Sequence, residues 1–252
     1  MTTQLENCAP AAGIDRADLI LKAFDGPGKL TLAQITRRTG VPRSSAHRML
    51  ERLVQLRWLR RDGQHYQLGL RLFELGTLVV QQDQLHGVAL PHLRELQRLT
   101  GLTVHLAVLD RSDVVYLERL EGKFGADVDT RPGGRRRAAS TSLGKVLLAN
   151  AACQPTSFLS PAAEALRPNA DGIRIRQEYA AIRLRGIAFD REESIPRTRC
   201  IGAPVGVKGD VVAAISVCGG VDHLAMDSKT ASLVRHTGAQ IYGRLGRRRA
   251  AI

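Results

Sequence analysis

The sequence predicts an α+β chain: an N-terminal winged helix-turn-helix, a linker helix, and a larger C-terminal α/β domain. Three observations carry this. Two helical patterns meet at Gly40 and are followed by two short β-type runs around Asp62-Gly63. The same stretch gathers positive charge, with ten Lys and Arg against two Asp and Glu over residues 26–71. Beyond residue 100, apolar β-type runs interleave with amphipathic helices, the pattern of a sheet covered by helices.

Residues 1–12 read as a disordered tail, and 13–69 as the winged helix-turn-helix. Ile14, Ala17, Leu21 and Phe24 form one apolar stripe, and Asp25-Gly26-Pro27-Gly28 ends that helix. Thr31 is the expected N-cap of a second helix with Leu32 and Ile35 inward, and Gly40 supplies the positive φ that closes it. A third helix is expected from about Arg43 to Leu56, with Ala46, Met49, Leu50 and Leu53 inward.

The outer face of that third helix carries Arg43, Ser44, His47, Arg48, Glu51, Arg52 and Gln55, small and basic toward its start, and Ser45 joins Arg43, Ser44, His47, Arg48 and Arg52 as an expected DNA contact. A helix entering a major groove about 12 Å wide must keep bulky apolar groups off its leading face, and arginine reads guanine with two parallel hydrogen bonds. Serines in the first turn sit beside free backbone amides and the positive end of the helix dipole, which suits phosphate or a base edge. Residues 58–68 then read as a hairpin turning at Asp62-Gly63, with Arg60 and Arg61 along the DNA backbone as a wing. Thr31, at the opening of the second helix, completes the expected DNA-contacting set.

Residues 70–82 read as the linker helix and 83–246 as the second domain. Leu85 to Leu99 suggests a further helix with Pro91 in or near its opening. Residues 103–108 and 114–120 read as paired strands about an Asp110–Ser112 turn. Residues 122–137 read as a Gly-rich basic loop, solvated rather than bound to DNA. Thr141 or Ser142 is expected to cap a helix reaching Asn150, and residues 175–184 form another, ended by Gly186. Glu192-Glu193 reads as a solvated helix start. Residues 199–207 and 211–218 are near-continuous apolar runs, so both faces of these strands are expected to be buried. Asp227 or Ser228 opens a final helix with Val234, Ile241 and Leu245 inward, and 247–252 is a basic tail.

Three positions carry polar side chains in apolar surroundings: Asp190, Cys200, and the pair Ser216 and Cys218, which share one sheet face at i, i+2. Packing cysteines and a capping Asp190 are the structural alternative.

Composition removes other classes. A net charge of +13 and a pI near 10.4 favour a polyanionic partner. The apolar runs are too short to span a bilayer, and Met1–Pro10 lacks the pattern of a secretory signal, so a cytoplasmic protein is expected. Cys8, Cys153, Cys200 and Cys218 have no metal-site spacing and read as small buried residues. No Gly-x-Ser-x-Gly elbow, phosphate-binding Gly-Lys-Ser/Thr loop or clustered histidine set is present, so neither an enzyme nor a cofactor is expected. Aromatic residues are 4% of the chain, too few for an RNA-stacking surface. A non-specific nucleic-acid-binding protein with a ligand-sensing domain is the alternative function.

Residues 30–56, LTLAQITRRTGVPRSSAHRMLERLVQL, resemble the helix-turn-helix of IclR-type transcriptional regulators. The likeness continues through the Trp58–Gly76 segment, Ser142-Leu143-Gly144-Lys145, residues 185–193, residues 200–205 and residues 213–219, in the family's order and spacing. The resemblance implies a GAF-like effector domain, a homo-oligomer (dimer or dimer of dimers), double-stranded operator DNA and a small-molecule effector, an organic acid or aromatic metabolite. Repression is the expected mode. It also implies an effector site formed by Ser142, Leu143, Asp190, Cys200, Ser216 and Cys218. The family's Ser-x-Ser appears here as Ser216-Val217-Cys218, and a thiol donates a weaker hydrogen bond than a hydroxyl, which hints at a more apolar effector.

Overall fold

Apolar stripes at helical spacing collapse into two separate units, Met1–Gln82 and Asp83–Ile252. The computed structural model describes residues 13–125, 128–151 and 170–249. The expected tail 1–12, Cys8, Cys153 and residues 250–252 lie outside the described residues.

In the first unit, α1 (Gly13–Lys22), α2 (Leu32–Thr39) and α3 (Arg43–Gln55) surround a small sheet of β1 (Leu30–Thr31), β2 (Leu59–Asp62) and β3 (His65–Leu68), in the order β1-β3-β2. Ile20, Ile35, Leu50, Leu53, Leu59 and Tyr66 form its core. Burying side chains of this size contributes about 1.5–3 kcal/mol each for the larger aliphatics. The boundaries follow local chemistry. Thr31 and Gln34 form a reciprocal capping box at the start of α2, and Gly40 ends it at φ 68° with its amide donating to Thr36 O at 2.9 Å. Pro42 precedes α3, whose opening carries no side-chain cap. The hairpin turn is Gly63-Gln64 rather than Asp62-Gly63. Asp62 pairs with His65 and binds Lys29 at 3.1 Å, while Gly63 takes the positive φ of 58°.

The hairpin leads into α4 (Leu70–Gln82) through Gly69, whose amide donates to Trp58 O at 2.7 Å. A Cβ on Gly69 would lie 2.1 Å from Arg57 O, so only glycine permits this approach. Arg57 and Arg71 both bind Glu74, at 3.2 and 2.9 Å. The hydrogen bond from Arg71, with the charge of Arg57, draws the Glu74 carboxyl below its usual range. No residue of α4 is buried.

The second unit is a six-stranded antiparallel sheet in the order β6-β5-β4-β9-β8-β7. Its strands are β4 (Thr103–Asp110), β5 (Asp113–Leu120), β6 (Arg135–Arg137), β7 (Ala188–Arg191), β8 (Thr198–Val207) and β9 (Asp210–Gly220). Helices α5 (Gln84–Thr100) and α8 (Ser228–Arg249) cover one face, where Leu93, Leu96, Ile201, Ile215 and Ile241 meet. Helices α6 (Ser142–Ala151) and α7 (Ala170–Arg185) cover the other, with Ala107, Tyr116, Val146, Tyr179 and Ala214 between. Burial on both faces explains the continuous apolar runs of β8 and β9.

Several expectations change. Pro91 lies in the middle of α5, where it deletes one backbone bond at a cost of about 3 kcal/mol. Val88, Leu93 and Leu96 are buried around it, and at about 1.5–3 kcal/mol each they outweigh that loss. The expected basic loop contains β6. Arg135–Arg137 pair with Asp113–Val115 of β5, and Arg135 binds Asp110 at 2.6 Å. Helix α7 starts at Ala170, ahead of the expected Ile175. Glu192-Glu193 opens no helix: Glu192 has a φ of 68° in a turn after β7. The backbone of 247–249 continues α8 rather than fraying into a tail.

Helix α6 lies close against β8. A Cβ on Gly202 would sit 2.8 Å from the Ser142 carbonyl carbon and oxygen. Gly202→Ala is therefore expected to cost about 1–3 kcal/mol of stability, as overpacked sites do. Urea denaturation checks this, and an unchanged midpoint and slope would show that α6 has room to move aside.

Candidate nucleic-acid interface and ligand pocket

Alternation of buried and exposed positions along α3 presents one face outward. Ala46, Leu50 and Leu53 face the core, while Arg43, Ser44, His47, Arg48 and Arg52 are exposed. Arg43 and Arg48 have no acidic partner among the described residues. His47 approaches Glu51 at 3.7 Å and Arg52 donates to Gln55 at 3.1 Å, both along the helix surface. Ser45 differs from its neighbours: it is half-buried, and its hydroxyl lies 3.5 Å from Arg16 Nη1 on α1. Thr31 has its hydroxyl engaged in the α2 capping box. On the hairpin, Arg60 pairs across the strands with Gln67 and hydrogen-bonds its side chain. Arg61 stacks over the Tyr66 ring at 5.7 Å and donates to Gly63 O at 2.9 Å. Both arginines remain exposed. The arrangement is a cationic helix face and a cationic hairpin on an apolar base, suited to a polyanion.

In the second unit, strand register assembles a polar patch on the sheet face that α6 and α7 cover. Asp190, Cys200, Cys218 and Thr103 are successive partners across β7, β8, β9 and β4. The adjacent row holds Gly202, Ser216 and His105. Over Gly202 lies the start of α6, with Ser142 and Leu143 buried. Thr141, rather than Ser142, caps this helix, accepting from Gly144 N at 3.0 Å. The amides of Ser142 and Leu143 in the first turn have no helix partner, so they suit an anionic ligand group. Register therefore gathers Ser142, Leu143, Asp190, Cys200, Ser216 and Cys218 around one patch.

Asp190 has a second task. Its carboxylate accepts from Glu193 N at 2.8 Å, from Ser194 N at 3.4 Å and from the Ser194 hydroxyl. It fixes the turn after β7, which leaves little acceptor capacity for a ligand. Lys145 is buried beneath that turn. It binds Glu178 at 2.9 Å and Glu193 at 2.6 Å. Burial alone would lower its pKa, but hydrogen bonds and charge from the two glutamates raise it above its ordinary value.

Sequence reasoning missed three members of the patch. His105, buried in β4, bonds through Nε2 to Thr130 Oγ1 at 2.9 Å, and its ring tilts against Tyr116 with centroids 5.2 Å apart. Nδ1 makes no hydrogen bond of ordinary length among the described residues. Cys218 nevertheless lies close enough for the imidazole to lower its thiol pKa. Burial raises the Tyr116 hydroxyl pKa. The available signal was period-two alternation, which puts His105 on the face of Thr103 and opposite Ser216. Among the described residues, no group of His, Cys, Asp and Glu could hold a metal ion, and no helix is long and apolar enough to cross a membrane.

The sequence family described as "Bacterial transcriptional regulator IclR C-terminal" matches residues 77–242, and the "IclR helix-turn-helix domain" matches residues 13–63. The regulator XynR of Escherichia coli is 33% identical over 218 residues, covering 81% of this chain and 84% of XynR. The transcriptional repressor IclR of E. coli is 27% identical over 212 residues, covering 81% and 77%. The crystal structure of an IclR homolog complexed with 4-hydroxybenzoate, from Microbacterium hydrocarbonoxydans, superposes with a TM-score of 0.79 at 26% identity, covering 93% of this chain and 99% of that one. The cationic helix face, the covered sheet and both family matches therefore agree: this chain belongs to the IclR family of transcriptional regulators, with a DNA-binding amino-terminal unit and a ligand-binding carboxyl-terminal domain.

Proposed function

We propose that the chain is a cytoplasmic repressor that reads an operator with α3 and releases it in response to a small aromatic or organic acid. In this reading, 13–69 is the DNA-binding domain, 70–82 the linker helix and 83–246 the effector domain. The carrying observation is the exposed cationic face of α3, where Arg43 and Arg48 stand without acidic partners behind an uncapped helix opening. Arg43, Ser44, His47, Arg48 and Arg52 make the groove contacts, Arg60 and Arg61 the backbone contacts. Thr31 serves chiefly to cap α2, and Ser45 to join α3 to α1 through Arg16. Arg43→Ala is expected to weaken operator binding by about 1–3 kcal/mol and relax sequence preference. Arg60→Ala and Arg61→Ala should weaken operator and unrelated DNA alike. Fluorescence anisotropy on both DNAs separates the two behaviours. Equal affinity of the wild type for both would favour a non-specific binder.

The effector reading rests on the α6 amides above Ser216. A carboxylate would lie against Ser142 and Leu143, with Ser216 donating and Tyr116 and Leu143 as apolar walls. Cys200 and Cys218 fill positions a second hydroxyl would make more polar, and Asp190 supports the rim. The homolog that holds 4-hydroxybenzoate supports an aromatic carboxylate as first candidate. Calorimetric titration with 4-hydroxybenzoate and related acids is expected to show Ser216→Ala weakened by about 0.5–1.5 kcal/mol, the net value of one hydrogen bond. No heat from any acid would sink the aromatic-acid reading.

Helix α4 supports a homodimer. Leu70, Phe73 and Val80, which share one side of the helix, are 61, 70 and 46% exposed, an apolar surface of the kind that marks an interface. Phe73→Asp is expected to give a monomer by light scattering, and an unchanged mass would remove α4 from the interface.

A further inference from the structure

The free thiols among the described residues, Cys200 and Cys218, are register partners across β8 and β9. Opposed residues of antiparallel strands have Cα atoms about 4.5–5.5 Å apart, within the span of about 4.4–6.8 Å that a disulfide bridges. Both side chains occupy one face of the sheet as direct cross-strand neighbours, and the Cys218 sulfur also lies 3.8 Å from the Ser216 hydroxyl.

His105 stands beside Cys218. With the Thr130 hydroxyl turned to Val128 O at 3.5 Å, His105 Nε2 donates to Thr130 Oγ1 at 2.9 Å, and Nδ1 is left as a proton acceptor. A thiol, an adjacent base and a group that orients the base make an activated nucleophile. The thiols are also the more open groups of the patch. Cys200 and Cys218 keep 7 and 5% of their surface, while Ser216 and Asp190 keep none.

We propose that Cys200 and Cys218 are a modification site, a dithiol oxidised by small hydroperoxides. His105 Nδ1 takes the Cys218 proton. The thiolate attacks one peroxide oxygen, the O–O bond breaks, and the leaving alkoxide takes the proton from His105. Cys218 is then a sulfenic acid, and an alcohol has left. Cys200 sulfur attacks that sulfenic sulfur, forming the S–S bond and releasing water. Two thiols are oxidised to one disulfide while the peroxide is reduced. The neighbouring Cys200 thiol and then the His105 imidazole hold Cys218 below the ordinary thiol value, whereas the neighbouring Cys218 and burial raise Cys200. Thiolate character is what makes a cysteine reactive. The order of attack follows from position: Cys218 lies beside the base His105, whereas Cys200 is the register partner of the Asp190 carboxylate.

The test uses the full chain with Cys8→Ser and Cys153→Ser, so that only this pair can react. Exposure to hydrogen peroxide should lower the intact mass by two hydrogen atoms and yield a linked peptide pair containing Cys200 and Cys218. Adding Cys200→Ser should stop the reaction at a sulfenic acid on Cys218, trapped by dimedone. Adding Cys218→Ser instead should slow peroxide consumption at least tenfold. His105→Gln should slow it while the linked product stays the same, a readout that packing alone would not move. Persistence of both thiols under excess peroxide would overturn the proposal. So would equal reactivity after Cys218→Ser, or sulfinic acid in place of the disulfide. The chemistry is read without DNA or effector, so its failure is distinct from failure of the regulator reading.

Discussion

The contact of the α6 opening with the backbone of β8 sets the second unit. Gly202 carries no side chain, so Ser142 and Leu143 rest on the strand itself. Gly144, two residues along, is equally bound to the preceding 3-10 turn (Ala138–Ser140), since a Cβ there would lie 2.0 Å from Ala138 O. Two glycines thus fix the height and direction of one helix. That helix brings its unpaired amides to within reach of the polar row on β8, β9 and β4, and Lys145, one residue further, ties the turn after β7 to α7. The polar patch, the turn after β7 and the covering helices all follow from how near α6 lies to the sheet.

The chain divides its charge in a way that suits its two units. The buried cation, Lys145, is neutralised by two carboxylates, because desolvated charge is tolerated only when paired. The arginines of α3 are left to solvent, where an unpaired cation costs little and a phosphate or base can claim it. Even the edge strand β6, three consecutive arginines, gives each of them a local partner: Arg135 binds Asp110, Arg136 the Asp129 carbonyl and Arg137 Ser112. High net charge therefore says less about nucleic acid than the unpaired face of one helix does.

Much of this was legible in the sequence because local chemistry decided it. Thr31, Gly40 and the Ala46, Leu50, Leu53 stripe mark helix ends and an inward face by themselves. Paired strands around residues 110–113 were equally plain. What escaped was decided by distant contact. Two residues of β1 become a strand only because β3 lies beside them. Arg135–Arg137 have the composition of a solvated loop, yet the free edge of β5 takes them as a strand. Pro91 speaks for a helix start, and only burial of its neighbours keeps it inside α5. For the polar patch, motif likeness pointed to residues on β7, β8, β9 and α6 that register brings together. It said nothing of His105 or Thr130, which reach the patch through register and a long loop. Nor did it say that Asp190 holds its own turn.

The junction at Gly69 has a mechanical meaning. Trp58 and Arg57, at the end of the α3 segment, receive backbone bonds from Gly69 and Arg71, and Glu74 clasps the arginines on either side. Although the β2–β3 hairpin lies between them in sequence, these bonds tie the start of α4 directly to the residues that follow α3. In the proposed DNA-reading mode, a twist of α4 would be handed on toward α3 through these bonds, as by a lever arm, and would alter the pitch at which α3 meets a duplex.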